Sequence, residues 1–383
     1  MPQPMTSRQR VLMALNHEEP DRLPIDFGGR HSLHVYAHRA LKQYLGLEGG
    51  EEVVRSYLTY TAEPDPRLIE RFHSDAIAFQ VRAASGYEFR LDPVDDSWTD
   101  EWGIGYHRPP DGLYYDPYKY PLAGEVTVAQ AEAYPFPDPR DPHRIAHIVE
   151  PLKAAHATGE KALMLNSPTV GIWMTAFYLR GLEQSLMDLA LQPEVIEVLA
   201  ERTTRWFVDL WEAVLPEIGE YVDIIQMEGD LGGQYGPLFS PKLFRQMFKP
   251  RLRRVFDTIH KHSRAKVKLH ACGSVYWAIP DLIDCGMDVL NPVQVNAADM
   301  DTARLKREFG KDITFWGGGC DTIVLQSGTP EEVRAEVTRR VRDLAPGGGF
   351  VFCSIHNIQA HVPPENIVAM FDTAREVGVY PIK

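Results

Sequence analysis

The chain has 383 residues, 44% hydrophobic and 24% charged, which excludes a disordered polymer and supplies a sizeable core. Forty Lys and Arg against 53 Asp and Glu leave a formal charge of −13, which excludes a nonspecific binder of the phosphate backbone; no nucleic-acid partner is expected. The opening MPQPMTSRQRVLMALNHEEPDRLP has no signal-peptide core, no run approaches about 18 apolar residues, and the four cysteines Cys272, Cys285, Cys320 and Cys353 make no secreted disulfide framework. A cytoplasmic protein with reduced thiols and no membrane partner is expected.

Eight short apolar runs recur in chain order: LPIDFG from Leu23, DAIAFQV from Asp75, ALMLNS from Ala162, YVDIIQMEG from Tyr221, KVKLHAC from Lys266, DVLNPVQ from Asp288, ITFWGGG from Ile313 and FVFCSIH from Phe350. Helical stretches separate the later ones, with start signals at Ser240–Pro241 and at Thr329 followed by Glu332. Eight strands alternating with helices predict an α/β protein, a single closed (β/α)8 TIM barrel over residues 1–383. A doubly wound open sheet is the competing architecture, and it lacks the glycine-rich dinucleotide fingerprint after its first strand. Residues 82–160 are too long for a simple crossover. Their segment SWTDEWGIGYHRPPDGLYYDPYKYPLAG predicts an aromatic-rich β-hairpin insertion between strands 2 and 3, with a helix after Asp141, over the barrel mouth.

In such a barrel the active site is built at the C-terminal ends of the strands. The polar residues there are Asp26, Arg30, Ser167, Glu228, Asp230, His270, Cys272, Asn291, Gln294, Asp321 and His356; any one of them also fits a helix cap or a loop hydrogen bond. In LHACGS, His270 and Cys272 are two apart on an extended strand and share a face. Imidazole beside thiolate is a donor set for zinc, although a histidine bonded at a strand end beside a buried thiol gives the same pattern. A third ligand is available from Cys353, His356 or Cys320. Nothing marks the oxyanion hole or orienting carboxylate that a Cys–His nucleophilic dyad needs. Glu228 and Asp230 also share a face, so that one can complete a metal shell while the other acts as general acid or orients a ligand. The aromatics Trp98, Trp102, Tyr106, Tyr114, Tyr115, Tyr118 and Tyr120 fit either an apolar lid or an insertion packed on itself.

Blocks along essentially the whole chain resemble the uroporphyrinogen decarboxylase superfamily: SRQRVLMALNHEEPDRLPIDF, SPTVGIWMTAFYLRG, EGDLGGQYGPLFSPKLFRQMFKPRLRRVF, LHACGS, FWGGGCDT and GGFVFCSIHNIQAHVPPENIVAMF. The resemblance implies a single (β/α)8 barrel and one of two chemistries. In true decarboxylases an arginine-bearing segment after the first strand binds a tetrapyrrole carboxylate; here only Arg30 stands in comparable context. The decarboxylase aspartate falls at Val81, and the family tyrosine falls at about Phe177, beside Tyr178. The cobalamin-dependent methyltransferase and demethylase branch, which the chain resembles more closely, carries a zinc site of His-x-Cys plus a later cysteine. His270 and Cys272 match the first two ligands. Counting ten residues back from Asn366 puts His356 at the last, with Cys353 three residues early.

The resemblance therefore implies Zn2+ on His270, Cys272 and His356, with Cys353 or Glu228 as alternative ligands. Position at the strand ends makes Asp230 and Glu228 candidate catalytic residues and Asp26, Ser167, Asn291, Gln294 and Asp321 candidate substrate or cofactor contacts; the resemblance adds a catalytic role for His356 and contacts at Arg30, Phe177 and Tyr178. The expected partners are a small methyl donor or acceptor and a corrinoid, as methylcobalamin or on a corrinoid protein; a homodimer is carried over from the decarboxylases. The alternatives are a porphyrinogen-type decarboxylase and a noncatalytic tetrapyrrole- or corrinoid-binding protein.

Overall fold

Seven of the apolar runs become strands of one parallel sheet: β1 (Ala76–Gln80), β2 (Ala162–Asn166), β3 (Ile224–Glu228), β4 (Lys266–His270), β5 (Val289–Asn291), β6 (Thr314–Trp316) and β7 (Phe350–Val351). The structure, a computed structural model, describes residues 5–29 and 32–382. Neighbouring strands are sequential, so each pair is joined by a crossover. The strands are apolar on both faces because both faces are covered. Leu163, Leu165, Ile225, Met227, Val267, Leu269, Leu290, Phe315 and Phe350 pack into the large core that includes the outer helices. Met164, Ile224, Val289, Trp316, Val351 and Cys353 pack on the other face against Val11, Ala14 and Leu15 of the helix Ser7–Leu15. The period of two then carries Glu228, His270 and Asn291, at the ends of β3, β4 and β5, onto that same second face.

The expected closed barrel is not formed: the sheet is an open seven-stranded half-barrel with β1 and β7 at its edges. LPIDFG, expected as the first strand, contributes one isolated parallel bridge, Ile25 to Phe352, and two further backbone bonds, from Asp75 N–H to Ile25 O and from Leu23 N–H to Gly378 O. Its own chemistry stops the ladder. Pro24 has no N–H to give, the N–H of Ile25 goes to the Asp75 carboxylate at 2.8 Å, and that of Phe27 goes to the Ser74 hydroxyl at 3.0 Å. Gly28, at φ +87°, then turns the chain away.

Between β1 and β2 the expected hairpin is a three-stranded antiparallel sheet of Ser97–Thr99, Gly105–His107 and Asp116–Lys119. Trp98 and Tyr106 face each other across it and stack with centroids 4.4 Å apart, a cross-strand pair that fixes the register. The helix expected after Asp141 is two helices, His143–Ala146 and Val149–Thr158. From the first of them, fully buried Arg144 grips Glu101 of the insertion with two bonds of 3.0 Å. Ser240 and Thr329 cap helices as their sequence signals predict. No described helix is long and apolar enough to cross a membrane.

Candidate metal centre

His270 ends β4, and the chain stays extended enough for Cys272 to lie on the same side. Cys272 Sγ is 3.1 Å from His270 Nε2, and His356, from the loop after β7, brings its ring to 5.5 Å between centroids from that of His270. One donor atom from each of the three residues lies within 4.8 Å of the others. Tetrahedral zinc with bonds of about 2.0–2.3 Å places its ligands roughly 3.3–3.8 Å apart, so the cluster fits such an ion with small side-chain movements. Two imidazoles and a thiol are donors that zinc favours.

Bonds to neighbouring residues hold His270 and Cys272 in place. His270 Nδ1 lies 2.9 Å from Asn291 Oδ1, and Asn291 Nδ2 donates to Trp316 O at 2.7 Å. Cys272 N–H donates to Asp230 Oδ1 at 3.0 Å, Gly273 N–H to Gln294 Oε1 at 2.8 Å, and Ser274 N–H to Gly233 O at 2.8 Å. The loops after β3 and β4 are thereby clasped together. Glycine is required at the clasp: Gly273 has φ +83°, and a Cβ there would lie 2.4 Å from Gly232 O. Burial, followed by the charges of Asp230 and Glu228, pushes the Cys272 thiol well above its ordinary range. A thiol among carboxylates becomes a thiolate when a cation is supplied, because the cation reverses the local electrostatics.

His270, His356, Glu228, Asp230, Ser167 and Tyr178 line a cavity of about 620 Å3. The insertion contributes to the same lining, with Trp98 and Tyr106 in the wall. Burial pushes the Tyr178 phenol up to about 12, so it is a hydrogen-bond donor at neutral pH. Glu228 Oε1 accepts from Gln226 Nε2 at 2.9 Å.

Other expected site residues lie elsewhere. Buried Asp26 is absent from the cavity wall: it accepts from Trp316 Nε1 and from Gly29 N–H, each at 2.9 Å, and so holds a turn. Arg30 lies outside the described residues. Phe177 is fully buried against Phe239 and Phe248, while its neighbour Tyr178 reaches the cavity. Asn291 and Gln294 are placed behind the centre, as support for His270 and Gly273. Asp321 caps the helix Thr322–Ser327 by accepting from Ile323 N–H at 2.8 Å. Cys353 is buried in the core of the half-barrel, with its thiol on Ser354 O at 3.1 Å. Neither it nor Glu228 belongs to the cluster of three.

Asp100 escaped the sequence reading. It lines the cavity, and it accepts from the N–H groups of Trp102 and Ile104 at 2.9 Å and from Tyr106 Oη at 3.1 Å. Burial raises it to about 6. Its only sequence signal is that of a turn, an Asp ahead of Trp-Gly, which carries no chemistry.

The family model described as uroporphyrinogen decarboxylase (URO-D) matches residues 112–377, more than half of the chain. A uroporphyrinogen decarboxylase of Neisseria meningitidis is 25% identical over 170 residues; that match spans 44% of this chain and 46% of the relative, so under half of each. A uroporphyrinogen decarboxylase of Alkalilimnicola ehrlichii is 24% identical over 388 residues, spanning 96% of this chain and 94% of the relative. Among solved structures, a methyltransferase from Methanosarcina mazei superposes with a TM-score of 0.67 at 18% identity, covering 97% of this chain and 99% of that one. At that identity the likeness is one of fold.

Proposed function

From the premise that the chain belongs to the uroporphyrinogen decarboxylase family, we propose that it is a zinc-dependent methyltransferase or demethylase, moving a methyl group between a small methylated or thiol substrate and a corrinoid. The observation that carries this reading is the convergence of His270, Cys272 and His356, with donor atoms within 4.8 Å, of which His270 and His356 line a cavity. His270, Cys272 and His356 would hold the zinc, which would supply Lewis acidity. Support from fold comes from the Methanosarcina mazei methyltransferase.

The residues of this chain have separable tasks. Asp230, tied by Oδ1 to the Cys272 N–H, fixes the backbone that carries the thiol beside His270, and with Glu228 it orients the substrate or takes its proton. Tyr178 donates a hydrogen bond. The stacked Trp98 and Tyr106 line the cavity and exclude water from their part of the wall, which strengthens each polar contact inside. A cavity of about 620 Å3 suits a small substrate; a corrinoid, as methylcobalamin or on a partner protein, would supply or take up the methyl group.

The test is methyl transfer between methylcobalamin and a panel of thiols, and from methylated ethers, thioethers and amines to reduced cobalamin, with Cys272→Ala alongside. Transfer that needs Cys272 supports the reading. A decarboxylase is the second reading, favoured by Arg55 and Arg82, which line the cavity and suit a polycarboxylate; against it, buried Val81 stands where the family resemblance puts an aspartate. Carbon dioxide release from uroporphyrinogen by metal-stripped protein would establish that second reading. Tight corrinoid binding that survives Cys272→Ala, with no turnover of either kind, would leave a binding protein.

A further inference from the structure

Asn291 ends β5 directly beside His270 in the parallel register of β4 and β5, and it is fully buried. The carbonyl of Trp316 can only accept a hydrogen bond, so the group that meets it at 2.7 Å is the amide nitrogen of Asn291. That leaves the amide oxygen facing His270 Nδ1 at 2.9 Å. An oxygen there demands a proton on Nδ1, and a neutral imidazole carries only one. Nε2 is therefore left with its lone pair, on the side of the ring where Cys272 Sγ lies 3.1 Å away.

The anchor behind Asn291 is itself fixed. The Trp316 ring lies under the Lys268 ammonium at 4.3 Å, and its Nε1 donates to Asp26 Oδ2 at 2.9 Å. A chain of bonds thus runs from Asp26 through Trp316 and Asn291 to the ring of His270, with every member buried. Buried polar chains in which each group is satisfied hold one orientation rather than several.

We propose that Asn291 is a positioning residue of the metal centre, which sets the tautomer and ring orientation of His270 so that Nε2 is presented as a ligand. This rests on the reading that a metal is held by His270, Cys272 and His356. It also makes a claim about the metal-free protein, namely that Nδ1 of His270 carries the proton. Partners behind a ligand of this kind are worth about 10–100-fold in metal affinity.

The experiment uses the full chain with 15N-labelled histidine, as wild type, Asn291→Ala and Asn291→Asp. His270→Gln serves to assign the signal. Imidazole nitrogen shifts are read on metal-free protein, and zinc affinity is read by competition with a chromophoric chelator. The expected wild type shows the Nδ1–H form alone. Asn291→Ala loses that single form and binds zinc about 10–100-fold more weakly with the same stoichiometry. Asn291→Asp retains an acceptor for Nδ1–H, so it keeps the tautomer and restores most of the affinity; a folded Asp variant also serves if the Ala variant does not fold. Unchanged tautomer and affinity in Asn291→Ala, or an Asp variant as weak as Ala, overturn the role of Asn291 while leaving the metal reading intact. A wild type in the Nδ1–H form that binds no zinc overturns the metal reading and, with it, the role of Asn291 toward a metal.

Discussion

Replacing Arg144 with Met should release the aromatic wall from the half-barrel. The Arg144 side chain is 0% exposed and that of its partner Glu101 is 7% exposed, so removing the guanidinium strands a buried carboxylate, at a cost of about 3–5 kcal/mol. Two backbone carbonyls also lose a donor, Asp138 O at 2.8 Å and Arg82 O at 3.0 Å, for about 1 kcal/mol each if water does not reach them. Glu101 keeps one bond, from Ala84 N–H at 3.0 Å, which places the total near 4–6 kcal/mol. At about 2 °C per kcal/mol for a large domain the melting midpoint falls by roughly 8–12 °C. The assay is urea and thermal unfolding, with hydrogen exchange over residues 82–160 to locate the loosening. Adding Glu101→Leu should recover much of the loss, because removing both charges removes the stranded one. A single variant within about 1 kcal/mol of wild type, or a double variant no better than the single, would refute the reasoning.

Asp100 gives a pH signature. Burial raises its folded value from 3.8 to about 6, so the folded chain binds a proton that the unfolded chain releases; its contribution is fully present below about pH 4 and is lost as pH rises through about 6. The gap corresponds to roughly 3 kcal/mol, and Asp100→Asn should gain about that much relative to wild type between pH 4 and 7 in denaturation midpoints. Gly273→Ala meets both a left-handed φ and a contact of 2.4 Å with Gly232 O; it should destabilise by more than the roughly 1–3 kcal/mol of the backbone strain alone and lower metal retention on dialysis. Asp321→Ala should lose about 1 kcal/mol of helix capping in thermal unfolding with turnover unchanged, since its carboxylate caps Thr322–Ser327. Cys353→Ala should retain metal on analysis after gel filtration, because that thiol is buried in the core away from the cluster.

The parts of this molecule that could be read from sequence are those governed by local periodicity. Seven runs became strands because apolar residues bounded by turn signals need burial on both faces, and His270 with Cys272 came together because a strand repeats every two residues. Closure was not legible. It depends on whether LPIDFG can build a ladder on both sides, and the N–H groups of Ile25 and Phe27 are taken by Asp75 and Ser74, which are about fifty residues away in sequence. His356 was placed by counting against a family pattern rather than by any property of its own segment. Asp26 and Asp321 illustrate the opposite limit: a carboxylate at a strand end looks the same in sequence whether it faces a cavity, holds a turn or caps a helix. Asp100 had no chemical signal because its environment is assembled from a sheet whose three strands were not all foreseen.

The most direct test of the central claim is the metal content of the purified full chain after growth and purification with zinc supplied, measured beside Cys272→Ala and His356→Ala. About one zinc per wild-type chain is expected, lost or sharply reduced in both variants while each remains folded. A wild type that carries no zinc, or variants that retain it in full, would contradict the account.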